Sequence, residues 1–223
     1  MKTTFDIFNY SKWFFDDLPY HGNIKSNVAA IDWANALPTS EPVLAILSTE
    51  GNEGTHLLRK VYCEVRNKPL KSFCVNCERL HFLFREAIKI DGVEEFMDSL
   101  LQIDVLFIDD LDSSVFMNDV SFSTWLKELI ISVLKMGGKI AFTITDFKQE
   151  QLVIPNYLIP FGCRIVTSYY PNQLTAKEII ADLFPESESR FKLTEELYNR
   201  CSSVRELQGN CLFQNIAKKK RSG

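Results

Sequence analysis

The sequence predicts an α/β fold, a parallel sheet sandwiched by helices and followed by a small helical subdomain. Three observations carry this expectation. Short apolar runs alternate with stretches of helical periodicity between residues 43 and 145, and repeated alternation implies parallel strands with helices on both faces. The apolar run 43–47 enters a glycine-containing loop and then an apolar helix start, the layout that cradles a phosphate on backbone N–H groups. Beyond residue 170 the alternation stops and only helical patterns remain.

The elements follow in order. Residues 43–47 are the first predicted strand and 57–65 the helix behind its loop. Residues 70–75 read as a strand alternating into a core, with Asn76 placed to N-cap a helix over 78–87. A short helix over 94–101 and a mostly apolar strand over 103–108 come next. A helix over 122–135 ends at Met136-Gly137-Gly138 and gives way to a strand over 139–145. Residues 165–168 are an expected edge strand. Helices over 174–183, 194–201 and 204–217 surround a break at Pro185-Glu186-Ser187-Glu188-Ser189. A boundary near 167–172 divides the chain into a nucleotide-type core, 1–170, and a helical lid, 171–223. The lid ends in the basic tail Lys218-Lys219-Lys220-Arg221, read as solvated.

Composition narrows the function classes. A length of 223 residues suits one α/β domain with a small appendage. The net charge of −4 and pI near 5.5 argue against broad electrostatic binding to nucleic acid, so direct duplex binding is not expected. Apolar runs such as 105–108 fall far short of the roughly 20 residues of a membrane span. The first residues hold no signal-peptide core, and the expectation is a cytoplasmic protein with no membrane partner. Six cysteines fit a reducing compartment as small buried hydrophobes. Cys63, Cys74, Cys77 and His81 would have to converge to hold zinc. One C-x-x-C on a predicted strand end and helix cap is a weak signal, and no zinc is expected.

The loop repays a residue-by-residue reading. Against G-x-x-x-x-G-K-[ST], the segment beginning at Ser48 puts Thr55 in the hydroxyl slot and Gly54 in the lysine slot. Glu53 and Ser48 stand where the two glycines of the pattern fall, while Gly51 lies between them. Glu50 and Glu53 add negative charge where a polyanion would sit. The strand over 103–108 delivers Asp109 and Asp110, the placement in which one acid supports a magnesium ion and the next polarises a water. Buried strands also end in Asp simply to begin a turn. Asp146 fits two roles, a polar group beside the same cleft or a cap for the turn before Phe147. Arg205, in the first turn of a helix, is poorly placed for the helix dipole. A phosphate would give it a reason, and a solvated surface position is the plain alternative.

These motifs resemble, in order and over nearly the whole chain, the AAA+ core of the DnaA/Hda family of bacterial replication proteins. Thr4-Phe5-Asp6-Ile7-Phe8 resembles the family's entry motif. Thr55-His56-Leu57-Leu58 resembles the end of its Walker A segment, and 105–110 its Walker B. Residues 140–146 resemble the sensor 1 strand and Pro171-Asn172-Gln173-Leu174 the start of the lid. Ser203-Val204-Arg205-Glu206-Leu207-Gln208-Gly209 resembles the sensor 2 helix, the most specific of the matches. The resemblance implies that the strand over 140–145 lies between those over 43–47 and 105–108. It also implies that Gly51, Gly54, Thr55, His56, Asp109, Asp110, Asp146 and Arg205 surround a nucleotide site.

The departures set the functional expectation. The Walker A lysine is missing, and Asn156-Tyr157-Leu158-Ile159-Pro160-Phe161 has no arginine where the family carries its finger; the nearest, Arg164, lies past the segment. The sequence ends at Gly223 without the family's helix-turn-helix domain, and no Gln-Leu-rich clamp-binding peptide is seen at its start. The first expectation is a non-hydrolysing regulator or adaptor of replication initiation. It would act by contact with a DnaA-family ATPase, another replication protein or a second copy of itself. The alternatives are a switch that binds ADP or ATP with magnesium weakly, and a DNA-remodelling or loading factor, which the acidic balance disfavours.

Overall fold

The computed structural model describes residues 24–49, 51, 54–111, 118–145, 155–168, 176–177, 195–203, 205–207 and 209–210. Strand β1, Val43–Ser48, is buried at every position, the condition of a parallel strand covered on both faces. It follows helix α1, Ile24–Asn35, and leads to α2, Gly54–Arg66. Then come β2, Ser72–Asn76, α3, Cys77–Lys89, and α4, Val93–Leu101. Strand β3, Val105–Asp109, α5, Val120–Lys135, and β4, Lys139–Ile144, complete the central alternation. A 3-10 helix, Asn156–Phe161, precedes β5, Cys163–Ser168, and α6 spans Glu195–Arg200.

The five strands form one sheet in the order β2-β3-β4-β1-β5, and every neighbouring pair is parallel. The strand over Lys139–Ile144 therefore lies between β1 and β3, as the resemblance implied, and β5 is an edge. Successive side chains on a strand face opposite ways. Ala45, Leu106, Ile108, Ile140 and Phe142 accordingly join one core with α3, α4 and α5. Leu44, Ile46, Val105, Phe107 and Ala141 join a second core with α1 and α2. Phe96 stacks on Trp125 with ring centroids 5.3 Å apart, tying α4 to α5.

Helix α1 and the 3-10 helix Asn156–Phe161 were not expected from the sequence, and α1 is the longer of the two. Helix α1 buries Ala30, Trp33 and Ala34, so much of its core face is alanine and gives little apolar periodicity. Trp33 Nε1 donates to the Glu41 carbonyl at 2.8 Å. Strand β2 starts at Ser72 rather than at residue 70, since the Lys71 N–H donates to Asp104 Oδ2 at 2.8 Å instead of joining the ladder. Asn76 caps α3 as expected, its Oδ1 accepting the Arg79 N–H at 2.8 Å. Most of the expected helices over 174–183 and 204–217, the entry motif and the basic tail lie outside the described residues. Among the described residues no helix is long and apolar enough to cross a membrane.

Candidate functional site

Sheet parity assembles the site. Ser48 follows Ile46, Thr143 follows Ala141 and Asp109 follows Phe107, each two residues on, so all three side chains face α2 at the carboxyl end of the sheet. The amino end of α2 brings Gly54 and Thr55 to the same place. Thr55 Oγ1 donates to Asp109 Oδ1 at 3.1 Å, and Thr143 Oγ1 donates to the same oxygen at 2.6 Å. The Thr143 hydroxyl also accepts the Asp110 N–H at 2.7 Å. Asp110 is turned out of the strand with φ 55°, in the left-handed region, and its Oδ1 accepts from Thr145 Oγ1 at 2.7 Å. Both acids of the expected pair are thus engaged by threonines, one from α2, one from β4 and one just past β4.

Burial pushes the Asp109 carboxyl above its ordinary value. Thr143 pulls against this, the neighbouring Asp110 charge adds to it, and Thr55 and Arg59 oppose it more weakly. A folded-state value raised above the unfolded one means that stability falls as pH rises from the unfolded value through the folded one, with the full penalty above both. Asn at position 109 keeps an Oδ1 to accept from both threonines and removes the charge. Asp109→Asn is therefore expected to melt a few degrees higher than wild type at pH 7, with the gain shrinking toward pH 4. Thermal unfolding followed across that range checks it, and a lower melting temperature at pH 7 would contradict it.

The opposed Thr55 hydroxyl and Asp109 carboxylate are oxygen donors of the kind magnesium takes. Magnesium held by one or two protein oxygens completes its octahedron with waters and substrate phosphates, so these residues fit the ion only together with a nucleotide. Among the described residues no group of three or more His, Cys, Asp or Glu is placed to hold a metal. Cys63 lies on α2, Cys74 on β2 and Cys77 at the start of α3, while His81 Nε2 sits 3.1 Å from Asp119 Oδ2. Burial also pushes the Cys74 thiol well above its ordinary value.

The loop and the lid-like segment meet at Gly51. This glycine has φ 77°, and its carbonyl accepts the Arg205 N–H at 3.2 Å. A Cβ there would stand 2.9 Å from Ser203 Cβ and 3.2 Å from Arg205 Cβ, so the close approach as well as the backbone angle requires glycine. Ser203 Oγ accepts the Glu206 N–H at 3.2 Å and Glu206 Oε2 accepts the Ser202 N–H at 2.7 Å, a reciprocal cap that starts the segment. Arg205 itself is exposed and His56, one residue past Thr55, is half-buried. Glu50, Asn52, Glu53 and Asp146 lie outside the described residues.

Arg164 is not near this edge. It sits at the start of β5, where Nη2 pairs with Glu41 Oε2 at 2.9 Å and Nη1 donates to the Ala29 carbonyl at 3.3 Å. Thr143 and Ser203 are the site residues that the sequence reading missed. The signal for Thr143 was present, a lone hydroxyl in the apolar run of β4, fully buried. Ser203 needed the fold to bring it to Gly51.

Solved structures share this fold. Domain III of the replication initiation protein DnaA from Thermotoga maritima superposes with a TM-score of 0.69 at 22% identity, over 90% of this chain and 86% of that one. The chain has the AAA+ core fold of DnaA. The replication initiator DnaA bound to AMPPCP and single-stranded DNA gives a TM-score of 0.70 at 17% identity, over 99% of this chain and 69% of that one. The FIGL-1 AAA domain gives 0.59 at 12% identity, over 92% and 76%. No protein-family model and no curated protein sequence matches the chain. At these identities the likeness describes the AAA+ fold, and function must be argued from the site.

Proposed function

We propose that this AAA+ chain is a non-hydrolysing regulator or adaptor of DNA replication that works by contact with a DnaA-family ATPase. The observation that carries the proposal is Gly54. At the amino end of α2, beside the Thr55–Asp109 pair, the position of the phosphate-binding lysine holds a buried glycine. The magnesium-type acids remain, yet the cation that would neutralise the phosphates is gone. The segment Asn156–Phe161 supports the same reading, for it is an apolar 3-10 helix with Leu158 buried and Ile159 exposed. Arg164, committed to Glu41, is in no position to serve a neighbouring subunit. Such a protein could cap an oligomer of AAA+ subunits without activating the next one. The core, 1–170, would supply the docking face and the helical lid, 171–223, would ride on the loop through Gly51.

The test is capture. Purified chain mixed with a purified DnaA-family ATPase is expected to form a complex stable to gel filtration. Substituting Arg164→Ala is expected to leave both the complex and the partner's ATP turnover unchanged. Absence of any complex at micromolar concentrations of both proteins would count against an adaptor role.

A second reading is favoured by the contact between Gly51 and Arg205. A lid segment seated on the loop is the arrangement of a nucleotide switch, with Gly51, Gly54, Thr55, His56, Asp109, Asp110, Asp146 and Arg205 around ADP or ATP. Loss of one charge-assisted contact costs roughly 1.5–3 kcal/mol, about one to two decades of affinity. Stoichiometric ADP or ATP released from freshly purified protein would favour this switch over the adaptor.

A further inference from the structure

The glycine in the lysine slot has a partner. A Cβ built on Gly54 would collide with Ser48 Oγ and stand 3.0 Å from Ser48 Cβ, with Thr143 Cγ2 at 3.8 Å on the other side. Ser48 is the last residue of β1, 3% exposed, and occupies the place of the first glycine of the phosphate-loop pattern. Its oxygen could rotate away from an added side chain, but its Cβ is fixed by the strand backbone. In a packed interior an extra carbon at such a distance forces neighbours to shift. Two departures that look independent in the sequence therefore meet in one small volume.

We infer that Ser48 is a specificity-determining residue: its side chain fills the path by which a lysine at position 54 would reach a nucleotide triphosphate. The two positions are thus one linked change. With Ser48 in place, any side chain at 54 forces its neighbours to shift, and a lysine introduced there alone does not reopen the site. Removal of the Ser48 side chain is the step that makes a lysine possible, after which the Thr55 hydroxyl and the Asp109 carboxylate are already placed for the magnesium of a bound nucleotide. This deepens the reading given above, because it rests on the lysine slot having been lost, and it adds how the loss is locked.

A double-mutant cycle tests it, read by melting temperature and by binding of fluorescently labelled ATP with Mg2+. Gly54→Ala is the mild probe, adding only the offending carbon. In the wild-type background it is expected to lower the melting temperature by several degrees. In a Ser48→Gly background it is expected to raise it or leave it unchanged, since alanine is the better helix former. Gly54→Lys alone is expected to bind labelled ATP no better than wild type. Ser48→Gly with Gly54→Lys is expected to bind it roughly ten- to a hundredfold tighter. Additive melting shifts for Gly54→Ala and Ser48→Gly would overturn the inference, and so would Gly54→Lys binding as tightly as the double variant. The broader reading fails on a different arm, the wild type itself binding labelled ATP tightly, so the two failures are distinguishable.

Discussion

Thr143→Val is expected to destabilise the fold by about 2–4 kcal/mol, lowering the melting temperature by roughly 4–15 °C. Valine matches the shape of threonine, so the cost comes from polar groups rather than a cavity. The Thr143 hydroxyl serves two neighbours at once, the buried Asp109 and the half-buried Asp110. It donates to Asp109 Oδ1 at 2.6 Å and accepts the Asp110 N–H at 2.7 Å. Without it, among the described residues, the Asp109 carboxylate keeps the Thr55 hydroxyl alone, and the Asp110 amide loses its acceptor. The loss at Asp109 falls on a group already removed from water, where an unmade hydrogen bond costs most. Thr143→Ser retains the hydroxyl and should recover most of the difference. The pH dependence carries a second signature. Thr143 is the strongest of the groups opposing the rise in the Asp109 value, so its removal raises that value further. The destabilisation should then grow as pH rises through the folded value and be smallest in acid. Equal melting of Thr143→Val and wild type at pH 7 would show that the hydroxyl holds nothing.

The fold was legible because its signals are long and redundant. Strand β1 reads as buried from five apolar residues, and the central strands β3 and β4 do the same. The glycines at 137 and 138 mark the end of α5 by themselves, Gly137 adopting φ 86°. Helix α1 was illegible because alanine on its buried face leaves almost no contrast between inside and outside. The order of the strands could not come from the strands themselves, since any of them could pair with any other; the family resemblance supplied it.

The site was legible only in part. Thr55, Asp109 and Asp110 announced themselves by position after a strand or before a helix, and the structure brings them together. Ser48 was visible as a departure from a pattern, but its meaning depends on the distance to Gly54, which adjacency in sequence does not give. Arg164 illustrates the opposite case. Sequence placed it near the expected finger, while the strand direction carries it to the far end of the sheet and into an ion pair with Glu41.

The second large effect is an expected absence of ATP turnover. An arginine finger alone is worth about a thousandfold or more in rate, and the missing lysine removes a further electrostatic contribution to the transition state. With Gly54 at the start of α2 and no arginine in Asn156–Phe161, the proposed reading expects neither contribution. Asp110→Asn is the fitting comparison because it removes the acid and keeps the structure. Asparagine tolerates the left-handed backbone at φ 55°, and its Oδ1 can still accept from Thr145. Steady-state phosphate release from ATP and Mg2+, measured for wild type beside Asp110→Asn, therefore tests the central claim directly. The same background rate from both proteins is the result expected of a chain that acts by binding. A robust rate in wild type that vanishes in Asp110→Asn would contradict it.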